Sequence, residues 1–482
     1  MNIVYNTEQL SAIQNAKDFI YNGNSEEYYL IEGKAGTGKT TIIKEVLKEF
    51  KGYHIIGCAL SHKAKNVLRK SISSGGIKAE FHSVAGMLNM ALDLETGVFK
   101  KIYVQGNKVP PVQKADIIII DEASMINEET IDYIFSEKRK KCKVIFLGDI
   151  GQLPPIRTLG NDYYIDWPVE NLNKISPVFE SKNKSKLLIR VRQGEESPIL
   201  PFADYFWNNS QIEQPEEYPV SSKDRKSIIT DKGALLFVNK TGEIFDKLLD
   251  VYKEAIDNNK PNLLKFISYR NKTRITINKY IHKHFFKNDP KQYQPGELII
   301  FKDNYKEIEN STEAQIVSKS NITTDKDGIQ YYNLLLSIDG FDKFEKIPVI
   351  VNESIEKHIE ITKSKFDKAK NYLYTQGRNK KYYQLLGEAW KEKDRFPKID
   401  LSYAVSSHTS QGSTYDICVV HEQDINSVTM IGPKQKSQSI YTALTRAKNI
   451  CIVISDQLVD NSNIDFKNLN IIELNNKFNN NN

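Results

Sequence analysis

The chain has 482 residues and a mass of 55.3 kDa, too long for one ordinary core and suggestive of roughly three domains. Hydrophobic residues make up 40% and aromatics 10%, enough to fill real cores, which excludes wholesale disorder. Lys and Arg number 67 against 61 Asp and Glu, a net charge of +6, which permits a polyanion at a local groove but excludes histone-like wrapping. In chain order, residues 28–32 read as a strand ending in glycine, and Ile42, Ile43, Val46, Leu47 and Phe50 then repeat at helical spacing. Next come a strand at 54–59, a helix at 63–72, four isoleucines at 117–120, a helix at 128–139 and a strand at 144–147. Strands apolar on both faces and separated by helices predict a parallel sheet covered on both sides. Residues 92–111 break that rhythm with Gly97, Gly106 and the pair Pro110-Pro111, and predict a small inserted hairpin.

The alternation returns with strands at 264–268, 401–405, 417–420 and 450–454 and helices at 275–286 and 437–446, a second α/β unit. Two stretches interrupt it. Residues 296–351 are β-like with glycine and aspartate turns and predict a small barrel, while 362–393 are Lys- and Tyr-rich with helical spacing. The polar run 475–482 predicts a frayed tail. Cys58, Cys142, Cys418 and Cys451 lie far apart with no CxxC pair, which argues against zinc or a disulfide framework and for a reducing setting. The start, Met1-Asn2-Ile3-Val4-Tyr5-Asn6, lacks the parts of a signal peptide, and no apolar run approaches the ~20 residues of a membrane span; a cytoplasmic protein without membrane attachment is expected.

Gly33-Lys34-Ala35-Gly36-Thr37-Gly38-Lys39-Thr40 fits G-x-x-x-x-G-K-[ST] between a strand and a helix, the setting a phosphate loop requires. Its glycines let backbone N–H groups turn toward phosphate, and the helix N-terminus adds positive potential. Lys39 would neutralise the β and γ oxygens of ATP and the Thr40 hydroxyl would sit on Mg²⁺. Asp121-Glu122 closes the 117–120 run at the carboxyl end of a buried strand, where open sheets bind ligands. Asp121 can hold Mg²⁺ through its water shell, and Glu122 can take a proton from the attacking water. Hydrolysis also needs positive charge that acts only once the γ-phosphate is present. Arg192, in Leu187-Leu188-Ile189-Arg190-Val191-Arg192-Gln193, and Arg446, in Tyr441-Thr442-Ala443-Leu444-Thr445-Arg446-Ala447, are the candidates, with Arg190 the alternative to Arg192.

Read in order, these pieces resemble a superfamily 1 helicase of the RecD-like branch, especially its phage-encoded members, and the Asn-, Lys- and Ile-rich composition would suit a low-GC phage genome. Gln9 lies where such enzymes place an adenine-reading glutamine; Gly33 to Thr41, including Gly36, Thr37 and Gly38, match their nucleotide loop. Residues 59–64 and Phe81-His82-Ser83 look like strand-contacting motifs, and Gly148-Asp149-Ile150-Gly151-Gln152-Leu153-Pro154-Pro155 matches the highly specific G-D-x-x-Q-L-P-P. His408-Thr409-Ser410-Gln411-Gly412 is similar to S/T-x-H-K-x-Q-G, with Thr409 in place of the usual lysine, and Ser61 stands where the first strand motif often has proline.

The resemblance implies two RecA-like P-loop domains, a β-hairpin pin insert, and an SH3-like barrel plus helical-arm insert. The expected boundaries are 1–185 for the first domain with the pin at about 86–112, 186–295 and 398–482 for the second, and 296–397 for the barrel and arm. It implies an ATP-dependent DNA helicase moving 5′→3′ on single-stranded DNA, with Gly412 in the nucleotide site and Gln152 linking the γ-phosphate to DNA contacts. Ser61, His62, His82, Asn271, His408 and Thr409 would line the strand, Phe99 and Tyr103 would tip the pin, and Trp390 would dock the arm or pack its core. Expected partners are single-stranded and forked DNA and a single-strand-binding or replisome protein, with a monomeric chain. Three other readings stay open: a P-loop enzyme of another class, a non-catalytic strand binder, and an RNA-directed helicase.

Overall fold

The computed structural model describes residues 4–60, 62–92, 99–101, 109–155, 175–191, 197–287, 292–338, 341 and 343–481. The chain divides into two compact units, Met1–Leu248 with Leu264–Arg274 and Val405–Asn482, and Leu249–Leu263 with Ile275–Ala404.

The first unit begins with α1 (Thr7–Asn22), closed by a capping box in which the Asn6 side chain accepts from Gln9 N and the Gln9 side chain accepts from Asn6 N. There follow β1 (Tyr28–Gly33), α2 (Lys39–Leu47), β2 (Ile55–Ala59), α3 (His62–Ser73), β3 (Glu80–Ser83), the hairpin β4 (Met90–Leu92) and β5 (Phe99–Lys101), β6 (Ile117–Asp121), α4 (Glu128–Glu137), β7 (Lys143–Gly148) and β8 (Lys184–Leu187). Six of these strands form a parallel sheet in the order β3-β2-β6-β7-β1-β8. The isoleucines of β6 are all fully buried, and the period of two sends Ile117 and Ile119 to the core under α1 and α2 and Ile118 and Ile120 to the core on the other face. A strand wanted on both faces by oil has no polar side to alternate with, which is why the run reads as continuous.

The chain continues through α5 (Ile199–Asn209), β9 (Ile228–Ile229), β10 (Ala234–Val238), α6 (Phe245–Asp257), β11 (Leu264–Ser268) and α7 (Asn271–Phe285). After the inserted strands and helices, β18 (Ala404–Ser406), β19 (Tyr415–His421), α10 (Pro433–Leu444) and β20 (Ala447–Ile454) complete a second sheet in the order β18-β11-β19-β20-β10-β9, parallel except for the short edge strand β9. The start of α7 at Asn271, earlier than the apolar spacing predicts, is set from a distance. Asp424 is buried and accepts from Tyr269 N and Arg270 N at 2.8 and 2.9 Å, and from Arg270 Nε at 2.7 Å. The frayed tail expected at 475–482 is instead helix α11 (Ile471–Asn481) among the described residues. Ile471 and Phe478 are buried seven residues apart on one face, and buried Asn475 accepts from Asn449 Nδ2 at 2.8 Å, so an asparagine-rich composition conceals an anchored stripe.

The second unit holds β12 (Leu298–Phe301), β13 (Glu313–Lys319), β14 (Thr323–Thr324), β15 (Gln330–Ile338), β16 (Glu345–Ile350) and β17 (Ile399–Leu401), an antiparallel sheet ordered β14-β15-β13-β12-β17 with β16 also on β15. Its core is Ile299, Phe301, Ile316, Leu334, Leu336 and Ile347. Two packed helices, α8 (Ile355–Gln376) and α9 (Lys380–Lys393), turn at Gly377 and the Asn379 cap. Trp390, 42% exposed, meets Phe366 edge-to-face at 5.3 Å across that pair. The strand predicted at 401–405 is cut in two, because β17 pairs with β12 whereas β18 joins the other sheet. Asn278 fills the break: its amide donates to Leu401 O and Ala404 O at 2.8 and 3.1 Å and accepts from Ala404 N at 2.7 Å.

Candidate nucleotide and strand sites

The loop from Gly33 to Lys39 turns twice through the left-handed region, at Gly36 (φ 83°) and Gly38 (φ 84°), where a side chain would be strained. At Gly38 a Cβ would also come within 2.8 Å of Gln9 Nε2. Lys39 folds its ammonium back over the loop, donating to Gly33 O at 2.6 Å and Lys34 O at 3.1 Å. Gln9, buried against the loop, donates to Thr37 O at 2.9 Å and accepts from Asn6 N at 3.1 Å; each end of the amide keeps one further hydrogen-bonding valence. Thr41 follows Lys39 and Thr40 in the first turn of α2, its N–H donating to Gly38 O at 2.9 Å.

At the end of β6 the Asp121 carboxylate accepts from Thr40 Oγ1 at 3.0 Å and from Glu122 N at 2.8 Å. Burial, helped by the neighbouring Glu122 charge, pushes its pKa up to about 6. A carboxylate desolvated beside a hydroxyl oxygen, with Lys39 nearby, suits a hard divalent cation such as Mg²⁺, whose charge would reverse the cause of that rise. Glu122 is held at φ 58°, a left-handed conformation uncommon for its type, and its carboxylate accepts from Gln411 Nε2 at 3.3 Å. Gln411 Nε2 also lies 3.0 Å from Ser124 Oγ and 2.9 Å from Gln152 Oε1, so two amide hydrogens face three acceptors.

A second junction forms around buried Asp149. One carboxylate oxygen accepts from Tyr441 OH at 2.7 Å; the other accepts from Trp207 Nε1 and Gly151 N, both at 3.0 Å. Gly151 is required there, since a Cβ would sit 2.1 Å from the Trp207 ring. The Tyr441 hydroxyl also accepts from Ala35 N at 2.9 Å, so α10 of the second sheet is joined to the phosphate loop of the first. Arg190 grips Asp204 of α5 through both terminal nitrogens, at 2.8 and 2.7 Å, while its Nε donates to Ala35 O at 3.3 Å. Lys34 Nζ reaches the same carboxylate at 2.9 Å. Lys39, Thr40, Asp121, Glu122 and Gln152 are thus gathered into one network. Arg446 is not: it donates to Thr442 O, Ser413 O and Thr445 Oγ1, all on the second-sheet side, close to Gly412 (φ 74°). Arg192 lies outside the described residues.

An AAA-domain family profile matches residues 4–165. The chain is 23% identical over 453 residues to the ATP-dependent DNA helicase dda of Enterobacteria phage T4, covering 88% of this chain and 93% of that one. It is 29% identical over 163 residues to the ATP-dependent DNA helicase PIF1 of Saccharomyces cerevisiae, covering 32% of this chain and 18% of that one. Its fold matches a structure from a study of forked-duplex unwinding by two coordinating Pif1 helicases, with TM-score 0.52 and 15% identity, covering 100% of this chain and 98% of that one. The chain is thus similar to helicases of the Pif1/RecD-like branch of superfamily 1. A Bacteroides Pif1 helicase in complex with ADP-AlF3 and single-stranded DNA matches at TM-score 0.50 and 14% identity, over 95% of this chain and 94% of that one.

The residues expected to line a strand are less uniform here than those of the loop. His62, buried at the head of α3, pairs through Nε2 with Asn66 Nδ2 at 2.9 Å. His82 on β3 is 3.2 Å from a Glu80 carboxylate oxygen, so its ring is turned to an acid. Asn271 opens α7 and accepts from Arg274 Nε at 3.4 Å. His408 packs edge-to-face on Tyr269 at 5.6 Å, and burial pulls its pKa down to about 4, which makes it a neutral ring at pH 7. The Thr409 hydroxyl is 2.9 Å from that of Ser406, whose side chain caps the turn, so the position usually held by lysine serves here to shape backbone. Ser61 and Tyr103 lie outside the described residues, and Phe99 of β5 pairs in register with Leu92 of β4.

Sequence reasoning missed Gln411, Asp149 and Tyr441, although all lie inside motifs quoted for the resemblance. Lys63, within the first strand motif, was also missed; its ammonium sits 4.6 Å over the Tyr415 ring, which Lys265 approaches at 5.2 Å. Trp207 and Asp204 carry no motif signal: Trp207 reaches Asp149 58 residues away, and Asp204 joins Arg190 at 14 residues to Lys34 at 170.

Proposed function

We propose that the protein is an ATP-dependent DNA helicase that moves 5′→3′ on single-stranded DNA and opens duplex with the pin insert expected at about 86–112. The observation that carries this reading is the two sets of hydrogen bonds between the sheets at and beside the phosphate loop, Ala35 to Tyr441 and Glu122–Gln152 to Gln411. A terminal phosphate that arrives or leaves there must disturb contacts made by both α/β halves. Single-sheet P-loop enzymes such as small-molecule kinases have no use for the second joint, and likeness to DNA helicases along nearly the whole chain favours DNA over RNA.

Within this reading each half is a RecA-like domain, the antiparallel sheet is an SH3-like barrel, and the α8–α9 pair is an arm. Lys39 and the loop amides hold the phosphates, and Gln9 reads adenine. Thr40 and Asp121 hold Mg²⁺, which when bound neutralises phosphate charge. Glu122 takes the proton as water attacks the γ-phosphorus; the bond to the bridging oxygen breaks and leaves ADP and phosphate. Arg192 and Arg446 are the candidate cations for the developing charge, with Arg190, already against Ala35, the alternative to Arg192. Loss of phosphate loosens the two joints, and the strand-facing residues His62, Asn271, His408 and Thr409 shift with the halves that carry them.

The test is unwinding of matched forked and tailed duplexes with 5′ or 3′ loading strands of DNA or RNA, for the wild type and Lys39→Ala. The expected result is ATP-dependent unwinding from 5′ DNA tails only, abolished in the variant. ATPase indifferent to single-stranded DNA would sink the reading.

A further inference from the structure

Around the phosphate loop one side chain is out of place for a site that binds anions. Asp204, on α5, presents a carboxylate to two cations at the loop. Its Oδ1 takes Arg190 at 2.7 Å and Lys34 at 2.9 Å; its Oδ2 takes Arg190 at 2.8 Å. The arginine fork is thereby used in the bidentate manner that matches carboxylate and phosphate alike. Its Nε is simultaneously on Ala35 O, so the guanidinium lies against the loop but its gripping edge is spent. The two cations hold the Asp204 carboxyl below its ordinary range despite the opposing effect of burial, so it is ionised at neutral pH. Asp204 is only partly buried, at 29% exposure, and Trp207 on the same helix receives Lys34 on its ring at 4.2 Å.

We infer that Asp204 is a positioning residue that stands in for the terminal phosphate of the nucleotide: it keeps Arg190 and Lys34 at the loop and must be displaced from Arg190 by the γ-phosphate of ATP. This deepens the nucleotide-site reading and rests on it. An anion that offers the same bidentate geometry, more charge and a position over the loop amides competes for the same fork. ADP, which lacks the third phosphate, has nothing to compete with. Asp204 therefore favours the ADP-bound and empty states over the ATP-bound state, and its effect passes through Arg190. An ordinary structural ion pair would do neither.

The experiment measures binding of the non-hydrolysable ATP analogue AMP-PNP and of ADP, both with Mg²⁺, to the full chain without DNA. Asp204→Asn keeps the size and one acceptor while removing the charge. It should tighten AMP-PNP about five- to tenfold and leave ADP within about twofold, the differential a state-selective restraint requires. In an Arg190→Gln background the same change should move the AMP-PNP to ADP ratio less than about twofold, because coupled residues are not additive. Asp204→Ser repeats the measurement with a smaller side chain should the asparagine variant fold poorly. An unchanged ratio in both folded variants overturns the inference, and so does a gain that survives Arg190→Gln, which would mark a general charge effect. Lys39→Ala separates this from the underlying reading: if AMP-PNP binding does not depend on Lys39, the site itself is wrong, whereas Lys39-dependent binding with an unmoved ratio removes only the role of Asp204.

Discussion

Replacing Tyr441 with phenylalanine deletes one oxygen from a ring with no exposed surface, and that oxygen makes two bonds. It donates to the Asp149 carboxylate at 2.7 Å and accepts from Ala35 N at 2.9 Å. A bond to a charged buried group is worth roughly 1.5–3 kcal/mol and an ordinary amide bond about 0.5–1.5 kcal/mol. The buried Asp149 carboxylate loses its bond outright, whereas the half-buried Ala35 amide recovers part of its own from solvent. Asp149 retains Trp207 and Gly151 on its other oxygen, which keeps the carboxylate in place and limits the damage. The expected loss of unfolding free energy is therefore about 2–4 kcal/mol. Urea titration followed by tryptophan fluorescence suits the measurement, since Trp207 abuts the altered bond, and the midpoint should fall at an unchanged slope. A loss under about 0.5 kcal/mol would show that the Tyr441 hydroxyl does not join the two sheets, and the account of the joint would fail with it.

Other outcomes follow from the same geometry. Glu122→Gln keeps the backbone and the approach of Gln411, so ATP binding should persist while turnover falls by about 10²–10⁴ in steady-state hydrolysis; unchanged turnover would rule out a base at this position. Gln411→Ala removes the shared donor to Glu122, Ser124 and Gln152 and should cut stimulation of ATPase by single-stranded DNA by about tenfold, with AMP-PNP affinity within about twofold. Full stimulation in that variant would refute the second joint. For His408, burial lowers the folded pKa from 6.5 to about 4, so the unfolded chain takes up its proton first as the pH falls. The stability involved is intact above about pH 6.5 and is lost between there and pH 4, by up to about 3 kcal/mol. His408→Gln should lose less stability than the wild type across that window, and parallel curves in urea titrations at pH 4.5 and 7 would contradict the burial of the ring.

The geometry of the candidate nucleotide loop was legible because its chemistry is local. A loop that must turn N–H groups inward needs glycine at fixed offsets, and an acid at the end of an all-isoleucine strand has few other uses. The sheets were legible for the same reason, β6 above all. What escaped is what distance supplies. The start of α7 is fixed by Asp424, more than 150 residues away in the chain, and the division of the 401–405 run depends on Asn278. The C-terminal helix was hidden because asparagine dominates its composition while only its Ile471 and Phe478 stripe makes it fold. At the site, Asp204 and Trp207 act through partners that no spacing rule connects to them. Tyr441 and Gln411 stood within quoted motifs, but a motif names residue types without saying which atoms they touch.

The backbone at Glu122 has a consequence for how this protein ages and is engineered. Its left-handed turn costs roughly 1–2 kcal/mol for a residue with a Cβ, and glycine or asparagine would relax it. Screens that reward only heat resistance will therefore drift toward replacing the side chain we propose as the base for the attacking water. A sturdier chain obtained that way would be a still one.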